Sequence, residues 1–375
     1  MLSTEYIIET IRIKEWKTFL HNSVAAITKI LMHHNDQIQK YKLEQKILNY
    51  NTYLLGKHKL SSYVVFPKKK LIQEYQSVFH EDIAHNWVVG DMDQIIRTYI
   101  NINHECKRNM KSQVGLLDDV TLEVQVKKGQ DVELSVDGKK FSLSKNHYMR
   151  LRKMFRGESE DLDMMICILL VRYEYYGTLK EGICLSTSDV YNFITSNGLA
   201  DTTLEAFAGT LNSNLPNYCS LFYDVEGSFG SQGSFLTMSV KECDYQVIIS
   251  NPPYITNVMD DSSHKLLQFL KTCDGVVIVI IPDWRSVAEY EHDKPHQISI
   301  NEHEQMRKDV LYTSYKLLRD SKYFRNVMCV GNYMYYNFFT NSTKKIRDNV
   351  LFVALSSQQN VMINKFFDYM TKVVM

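Results

Sequence analysis

The sequence predicts an α/β chain: a mainly helical N-terminal domain with a small β-meander over residues 1–157, then an α/β sheet domain over residues 158–375. Three observations predict it. Apolar residues recur at helical spacing in the N-terminal part, up to about residue 115. The period changes to two between about 119 and 143. Beyond Arg156, short apolar runs alternate with helix-like segments, the pattern of strands covered by helices.

Ile7, Ile8, Ile11, Ile13, Trp16, Phe19 and Leu20 form one helical stripe, continued by Val24, Ile27, Ile30 and Leu31. A second stripe runs through Ile38, Tyr41, Leu43, Ile47 and Leu48, and both read as core-facing. His33-His34 lacks any second ligand cluster and reads as a solvated helix end. Val120, Leu122, Val124 and Val126, then Val132, Leu134 and Val136, alternate with polar residues, and Asp137-Gly138 signals a hairpin. A helix follows from Ser144, a suitable N-cap, to Phe155. The polar break from Arg156 to Glu160 is the candidate domain boundary.

In the second domain the pattern predicts a helix over Met164–Tyr176, a short strand over Ile183–Leu185 and a helix over Thr187–Asn197 stopped by Gly198. A strand over Leu204–Ala208 ends at Gly209. The buried runs Tyr245–Ile249 and Val276–Ile281 flank a helix over Ser262–Asp274. A long helix over Glu302–Asp320 precedes two last strands, Arg325–Phe339 and Val350–Leu355, with 341–345 as a loop between them.

With 43 basic and 43 acidic side chains the formal net charge is zero, which argues against coating nucleic acid through bulk charge. A local basic groove stays open, and Lys68-Lys69-Lys70 and Lys107-Arg108 with Lys111 are the candidate phosphate contacts, although such runs also occur as plain solvated faces. Seven cysteines without a Cys-x-x-Cys pair read as reduced core thiols of an intracellular protein. No apolar run approaches the roughly 20 residues of a membrane span. Met1–Trp16 mixes charge with isoleucine and does not read as a signal peptide.

Ser250-Asn251-Pro252-Pro253-Tyr254, directly behind the apolar run Tyr245–Ile249, is the most informative stretch. The lone pair of an exocyclic ring amine is delocalised, so methylating it requires acceptors that take both N–H bonds and localise that pair. The Asn251 side-chain oxygen and the Pro252 carbonyl suit this task, two prolines fix φ so that the carbonyl keeps one direction, and Tyr254 offers a flat face to a base. Asn251, Pro252, Pro253 and Tyr254 are therefore the candidate catalytic residues. The methyl of a sulfonium donor must lie in line with the nitrogen. Ligands of open α/β sheets sit beyond the carboxyl ends of strands, where this motif stands. The second buried run ends likewise in Pro282-Asp283-Trp284-Arg285.

The donor side is less marked. No Gly-x-Gly follows a strand; Phe207-Ala208-Gly209-Thr210-Leu211-Asn212 is the nearest candidate for backbone contacts with a donor. Asp224 and Glu226 follow the next apolar stretch, where an acid can hold ribose hydroxyls. Gly227–Gly233, which contains Phe229, is glycine-rich and suits close approach to a ligand or a flexible loop equally.

Six ordered segments carry a resemblance: Phe207–Asn212, Tyr218-Cys219-Ser220-Leu221-Phe222, Glu226–Gly233, Asn251–Tyr254, Ile281-Pro282-Asp283-Trp284-Arg285, and His296-Gln297 ahead of Glu302-His303-Glu304. In order and spacing, over roughly residues 165–355, the chain resembles the phosphorylated-CTD-interacting-factor family of cap-specific adenosine N6-methyltransferases. The resemblance implies a class I (Rossmann-like) methyltransferase domain, S-adenosyl-L-methionine as cofactor, and the 2′-O-methyladenosine beside the m7G cap of an RNA 5′ end as acceptor. It implies Phe207, Ala208, Gly209, Asn212, Asp224 and Asn251 at the cofactor, and Tyr254, Phe229, Trp284 and Arg285 at the substrate. Tyr254 stands where the family usually has Phe, and Thr256 where vertebrate members have an acid. Only Trp16, Trp87 and Trp284 are present, too far apart for the WW domain of vertebrate members, so docking to a polymerase tail is not implied. Residues 1–157 are expected to contact RNA or cap. A DNA adenine-N6 or cytosine-N4 methyltransferase shares the Asn-Pro-Pro-aromatic logic and is the competing enzyme reading; a catalytically inactive cap-binding domain is the third.

Overall fold

Val276–Pro282 is buried at every position, and Val350–Ser356 likewise. Continuous burial of this kind requires a sheet covered on both faces. In the computed structural model, which describes residues 2–32, 47, 89–116, 122–128, 131–175, 185–239, 244–285, 297–299, 313–337, 342–345 and 349–374, these runs lie side by side at the centre of a six-stranded mixed sheet.

The chain divides into two compact units, 1–145 with 157–179, and 146–156 with 180–375. In the first unit α1 (Leu2–Met32) packs on α2 (Val89–Val114) and on α4 (Leu162–Tyr175). Ile8, Ile13, Trp16, Phe19, Val24, Ile27 and Ile30 of the first predicted stripe are buried, with Ile7 and Ile11 half-buried. Glu9, Arg12 and Arg172 are buried with them: Arg172 Nε and Nη2 bond the two Glu9 oxygens at 2.8 and 2.6 Å, and Arg12 joins Glu9. A hydrophobic stripe does not reveal such a pairing. The second stripe, His33-His34 and Lys68-Lys69-Lys70 lie outside the described residues, apart from Ile47.

β1 (Gln125–Lys128), β2 (Asp131–Val136) and β3 (Lys139–Ser144) form the expected antiparallel meander. Its hairpin turns at Asp137 and Gly138, both left-handed with φ 48° and 72°. α3 (Lys145–Met154) follows. The chain then crosses between units more than once, so a single boundary at 157 does not describe it: α4, placed by its sequence with the sheet domain, belongs to the first unit because it packs on α1.

In the second unit the sheet contains β5 (Thr203–Glu205), β6 (Val247–Ser250), β7 (Val276–Pro282), β12 (Val350–Ser356), β9 (Phe324–Val330) and β8 (Gln297–Ser299), in that order. β5, β6 and β7 are mutually parallel, β12 is antiparallel to both β7 and β9, and β8 is parallel to β9. β12 alone therefore runs against the others. Successive side chains point to opposite faces. Val276, Ile278 and Ile280 join one core with α5 (Ser188–Ser196) and α9 (Val361–Val374). Val277, Val279 and Ile281 join another with α7 (Thr256–Thr272) and α8 (Thr313–Arg319). This is a mixed α/β layer arrangement.

Several boundaries differ from expectation. The strand into Gly209 ends at Glu205, although Ala206 still donates to Ile249 O at 2.8 Å. α7 begins at Thr256, six residues before the predicted Ser262, as soon as the two prolines and the extended Ile255 are passed. The predicted run Arg325–Phe339 is two strands, because Asn332 is left-handed (φ 56°) and breaks the extended chain. Its second part, β10 (Met334–Asn337), pairs with β11 (Ser342–Lys345) and β4 (Leu185–Ser186) in a separate small sheet. Residues 342–345 are thus a strand rather than the expected loop. Of the predicted helix Glu302–Asp320, Thr313–Arg319 is described.

Candidate active site

Because β5, β6 and β7 are parallel, their carboxyl ends share one edge of the sheet. Pairing of Val350 with both Pro282 and Val330 brings the start of β12 and the end of β9 to that same edge. Five segments thus converge there: the Gly209 loop, Asn251–Tyr254, Asp283–Arg285, Asn349–Val350 and Gly331–Tyr335.

The tip of β6 is held from below. Ser250 and Ser262 hydroxyls meet at 3.1 Å, tying the strand to α7, and Ile255 N donates to Pro253 O at 2.6 Å. Asn251, Pro253 and Tyr254 are half-buried and Pro252 is buried. Among the described residues, neither the Asn251 side-chain amide nor the Pro252 carbonyl takes part in a hydrogen bond. Tyr254 is firmly placed: its hydroxyl lies 2.6 Å from that of buried Tyr335, and its ring meets Trp284 edge-on at 6.4 Å and 75°. Thr256 is exposed.

The loop after β5 is closed by its own side chains. Asn212 Oδ1 accepts from Gly209 N at 2.7 Å, and Gly209 O accepts from Asn212 N and Ser213 N. Glu226, fully buried, accepts from Thr210 N at 2.7 Å and from Phe222 N at 3.0 Å. Ala208 N donates to Cys219 O at 3.0 Å. The amides of Ala208, Gly209, Thr210 and Asn212 are therefore spent within the protein. The Phe207 and Ala208 carbonyls of this half-buried segment accept no hydrogen bond among the described residues, so the loop offers acceptors.

Glu205, at the end of β5, escaped the sequence reading. It accepts from Asn214 N at 2.7 Å, Leu215 N at 3.3 Å and the Tyr191 hydroxyl, and burial pushes its carboxyl above the ordinary carboxylate range. An acid inside a predicted strand, four residues before a glycine, was the available signal. Arg150 was missed too; it donates to Leu211 O at 3.4 Å and Ser213 Oγ at 2.8 Å.

Three candidates sit differently from expectation. Asp224 is exposed on the helical turn Tyr223–Glu226, α6, while its neighbour Glu226 is the acid facing the loop. Phe229 is buried against Phe155, with ring centroids 5.3 Å apart, and offers no face to a base. Arg285 is 2% exposed. Its Nε and Nη2 take the Asp283 oxygens at 2.7 and 2.9 Å, its guanidinium lies over Tyr315, and Cys329 Sγ donates to Asp283 at 3.2 Å. That pair braces the loop after β7 rather than reaching outward. The five described cysteines are free thiols; Cys184, Cys243, His296 and Glu302-His303-Glu304 lie outside the described residues. No described helix is long and apolar enough to cross a membrane.

Fold and site together define an α/β protein with an Asn-Pro-Pro-aromatic strand tip beside an acceptor-rich loop. Residues 145–315 match a family model described as phosphorylated CTD interacting factor 1 WW domain, and over this segment the chain is similar to that family. Trp284 is the single tryptophan of the matched segment. Over 159 residues the chain is 29% identical to the human mRNA (2′-O-methyladenosine-N(6)-)-methyltransferase, covering 40% of this chain and 22% of the human protein. Its mouse counterpart matches equally, at 29% over 159 residues. The match thus spans about a fifth of the length of these curated relatives, 22%.

Proposed function

We propose that the sheet unit is a class I methyltransferase that moves a methyl group from S-adenosyl-L-methionine to N6 of the 2′-O-methyladenosine beside the m7G cap of mRNA. One observation carries this reading: among the described residues, the Asn251 amide and the Pro252 carbonyl stand uncommitted side by side at a strand tip that Ser250, Pro253 and Tyr254 hold in place. Two adjacent acceptors left open at one tip suit a ligand with two donors. A primary ring amine is such a ligand. The one reversed strand among five others agrees with a class I sheet, and the relatives named above carry this activity in their names.

The bound donor supplies an electrophilic methyl on a sulfonium. Its ammonium and sulfonium are cationic and want acceptors, which is what the Phe207 and Ala208 carbonyls provide. Asn251 Oδ1 and Pro252 O take the two N–H bonds of N6, turn the nitrogen lone pair out of the ring plane and hold it for in-line attack. Tyr254 stacks under the purine with its ring angle set by Tyr335 and Trp284. Asn251 and Pro252 are neutral acceptors and not bases, so the displaced amine proton leaves to solvent. Glu205 and Glu226 shape the loop that meets the donor.

Mass spectrometry of nucleosides after reaction tests the reading. Capped RNA beginning with 2′-O-methyladenosine should gain one N6 methyl, while uncapped RNA should gain far less. Transfer to duplex DNA with none to capped RNA would overturn it.

A further inference from the structure

α3 (Lys145–Met154) contains no acid. Its His147, Tyr148 and Leu151 are buried, while Arg152 and Lys153 are exposed, as is Arg156 just past its end. The segment is fastened to the loops of the candidate site. Arg150 holds Leu211 and Ser213, Arg156 N donates to Ser228 O at 2.8 Å, and Phe155 packs on Phe229.

The turn Gly227–Gly233 lies between two exposed side chains. On one side the Arg156 guanidinium covers Gly230, which has φ 98°; a Cβ there would lie 2.7 Å from Arg156 Nη2. On the other side Tyr223, 62% exposed, lays its ring over Gly227 and Gly233, where added Cβ atoms would sit 3.2 and 3.5 Å from it. Glu226 ties this turn to Thr210 of the loop after β5.

The cations here are not held in ion pairs, although exposed Glu158 and Glu160 follow Arg156 in sequence and exposed Asp224 follows Tyr223. Among the described residues none of Arg152, Lys153 or Arg156 makes an ion pair, whereas Lys139, Arg172, Arg285 and Lys316 each hold a carboxylate. Three unpaired cations thus lie on or just after a helix that Arg150, Phe155 and Arg156 fasten to the loops of the site. S-adenosyl-L-methionine carries a single carboxylate and no phosphate, so a group of three cations exceeds what the donor would use. It fits the phosphates of the acceptor, and an exposed aromatic among cations is what single-stranded nucleic acid uses: phosphates on the charges, a base on the ring.

We propose that Arg152, Lys153, Arg156 and Tyr223 form the docking surface for the single-stranded RNA that continues beyond the target adenosine. The proposal rests on the methyltransferase reading in taking the acceptor to be RNA. It requires the surface to act on longer RNA and to be dispensable for the cap and its first nucleotide.

Two variants test it, Arg152→Ala/Lys153→Ala/Arg156→Ala and Tyr223→Ala, all at exposed positions. A capped 20-nucleotide single strand is titrated by fluorescence anisotropy over a range of salt, and methyl transfer is measured on it and on a capped dinucleotide. The triple variant should bind the long RNA at least about tenfold more weakly, and its log–log salt slope should fall by about 2, since each phosphate contact on a single strand contributes roughly 0.7. Tyr223→Ala should lose about tenfold in affinity with an unchanged slope. Both variants should raise KM for the long RNA while leaving transfer to the dinucleotide intact. Unchanged binding and slope would overturn the proposal, as would equal losses on long and short substrates or equally weakened binding of duplex DNA. Absence of transfer to either RNA by the unmutated protein would count against the methyltransferase reading alone, because the binding arm decides the surface by itself.

Discussion

The Tyr254 hydroxyl meets the Tyr335 hydroxyl at 2.6 Å. Tyr335 is buried, its ring meets Tyr333 edge-on at 5.2 Å, and Tyr333 donates to Asp189 Oδ2 at 3.2 Å. A side chain at the tip of β6 is thereby anchored through a chain of phenols to the small sheet and to α5. Burial, together with Tyr254, pushes the Tyr335 phenol well above its ordinary value, so it stays protonated. The family resembled by this chain usually has Phe at the Tyr254 position, and Phe cannot make this bond.

The two partners should respond unequally to loss of the bond. Tyr254→Phe leaves the Tyr335 hydroxyl buried without its partner and should cost about 1–3 kcal/mol, whereas Tyr335→Phe leaves a half-buried hydroxyl that water can reach and should cost about 0.5–1.5 kcal/mol. Urea midpoints measure both. The reverse order would show that the phenol pair does not anchor the ring.

Asn251→Ala should separate fold from turnover. Its amide makes no hydrogen bond among the described residues, so stability should stay within about 0.5 kcal/mol of the parent. Methyl transfer should fall about a hundredfold or more, the usual scale for deleting one preorganised polar contact at a reacting group. A variant with parental activity would remove Asn251 from the proposed mechanism.

Glu205 predicts a pH signature. Its folded pKa lies above the unfolded value of about 4.3, so between the two the folded state binds one proton more than the unfolded chain. Its contribution to stability therefore declines as pH rises through that window and levels off above the folded pKa. Glu205→Gln keeps the shape and lacks the titration. The stability of the parent relative to this variant should fall with pH from about 4 upward. A difference that is flat with pH would mean the carboxyl is not shifted.

Arg285 offers a clean choice between bracing and binding. Arg285→Ala leaves the buried Asp283 carboxylate without its cation and should destabilise by about 3–5 kcal/mol. Asp283→Ala/Arg285→Ala should be less damaging than the sum of the single changes. Preserved stability in Arg285→Ala together with a raised KM for RNA would restore the direct substrate contact expected from sequence.

Much of the sheet was legible because burial on both faces leaves an unmistakable mark: Val247–Ile249, Val276–Ile281 and Val350–Leu355 are apolar throughout and buried at every position. The Asn251–Tyr254 motif was legible too, since prolines after a buried strand constrain the backbone locally. Asp137-Gly138 declared its hairpin by the left-handed conformation that its turn requires.

What sequence could not decide was which polar groups are already taken. Asp224 and Glu226 are both acids near one loop, yet only Glu226 points inward, because the turn Tyr223–Glu226 carries Asp224 to the surface. Asp283 and Arg285 read as rim residues until the fold showed them holding each other. Tyr335 could not be linked to Tyr254 across 81 residues, for nothing local in either segment records the other. Local periodicity and backbone stereochemistry are written in neighbouring residues and can be read from them. Partnership between distant side chains depends on which segments the sheet order brings together, and that is a property of the folded chain alone.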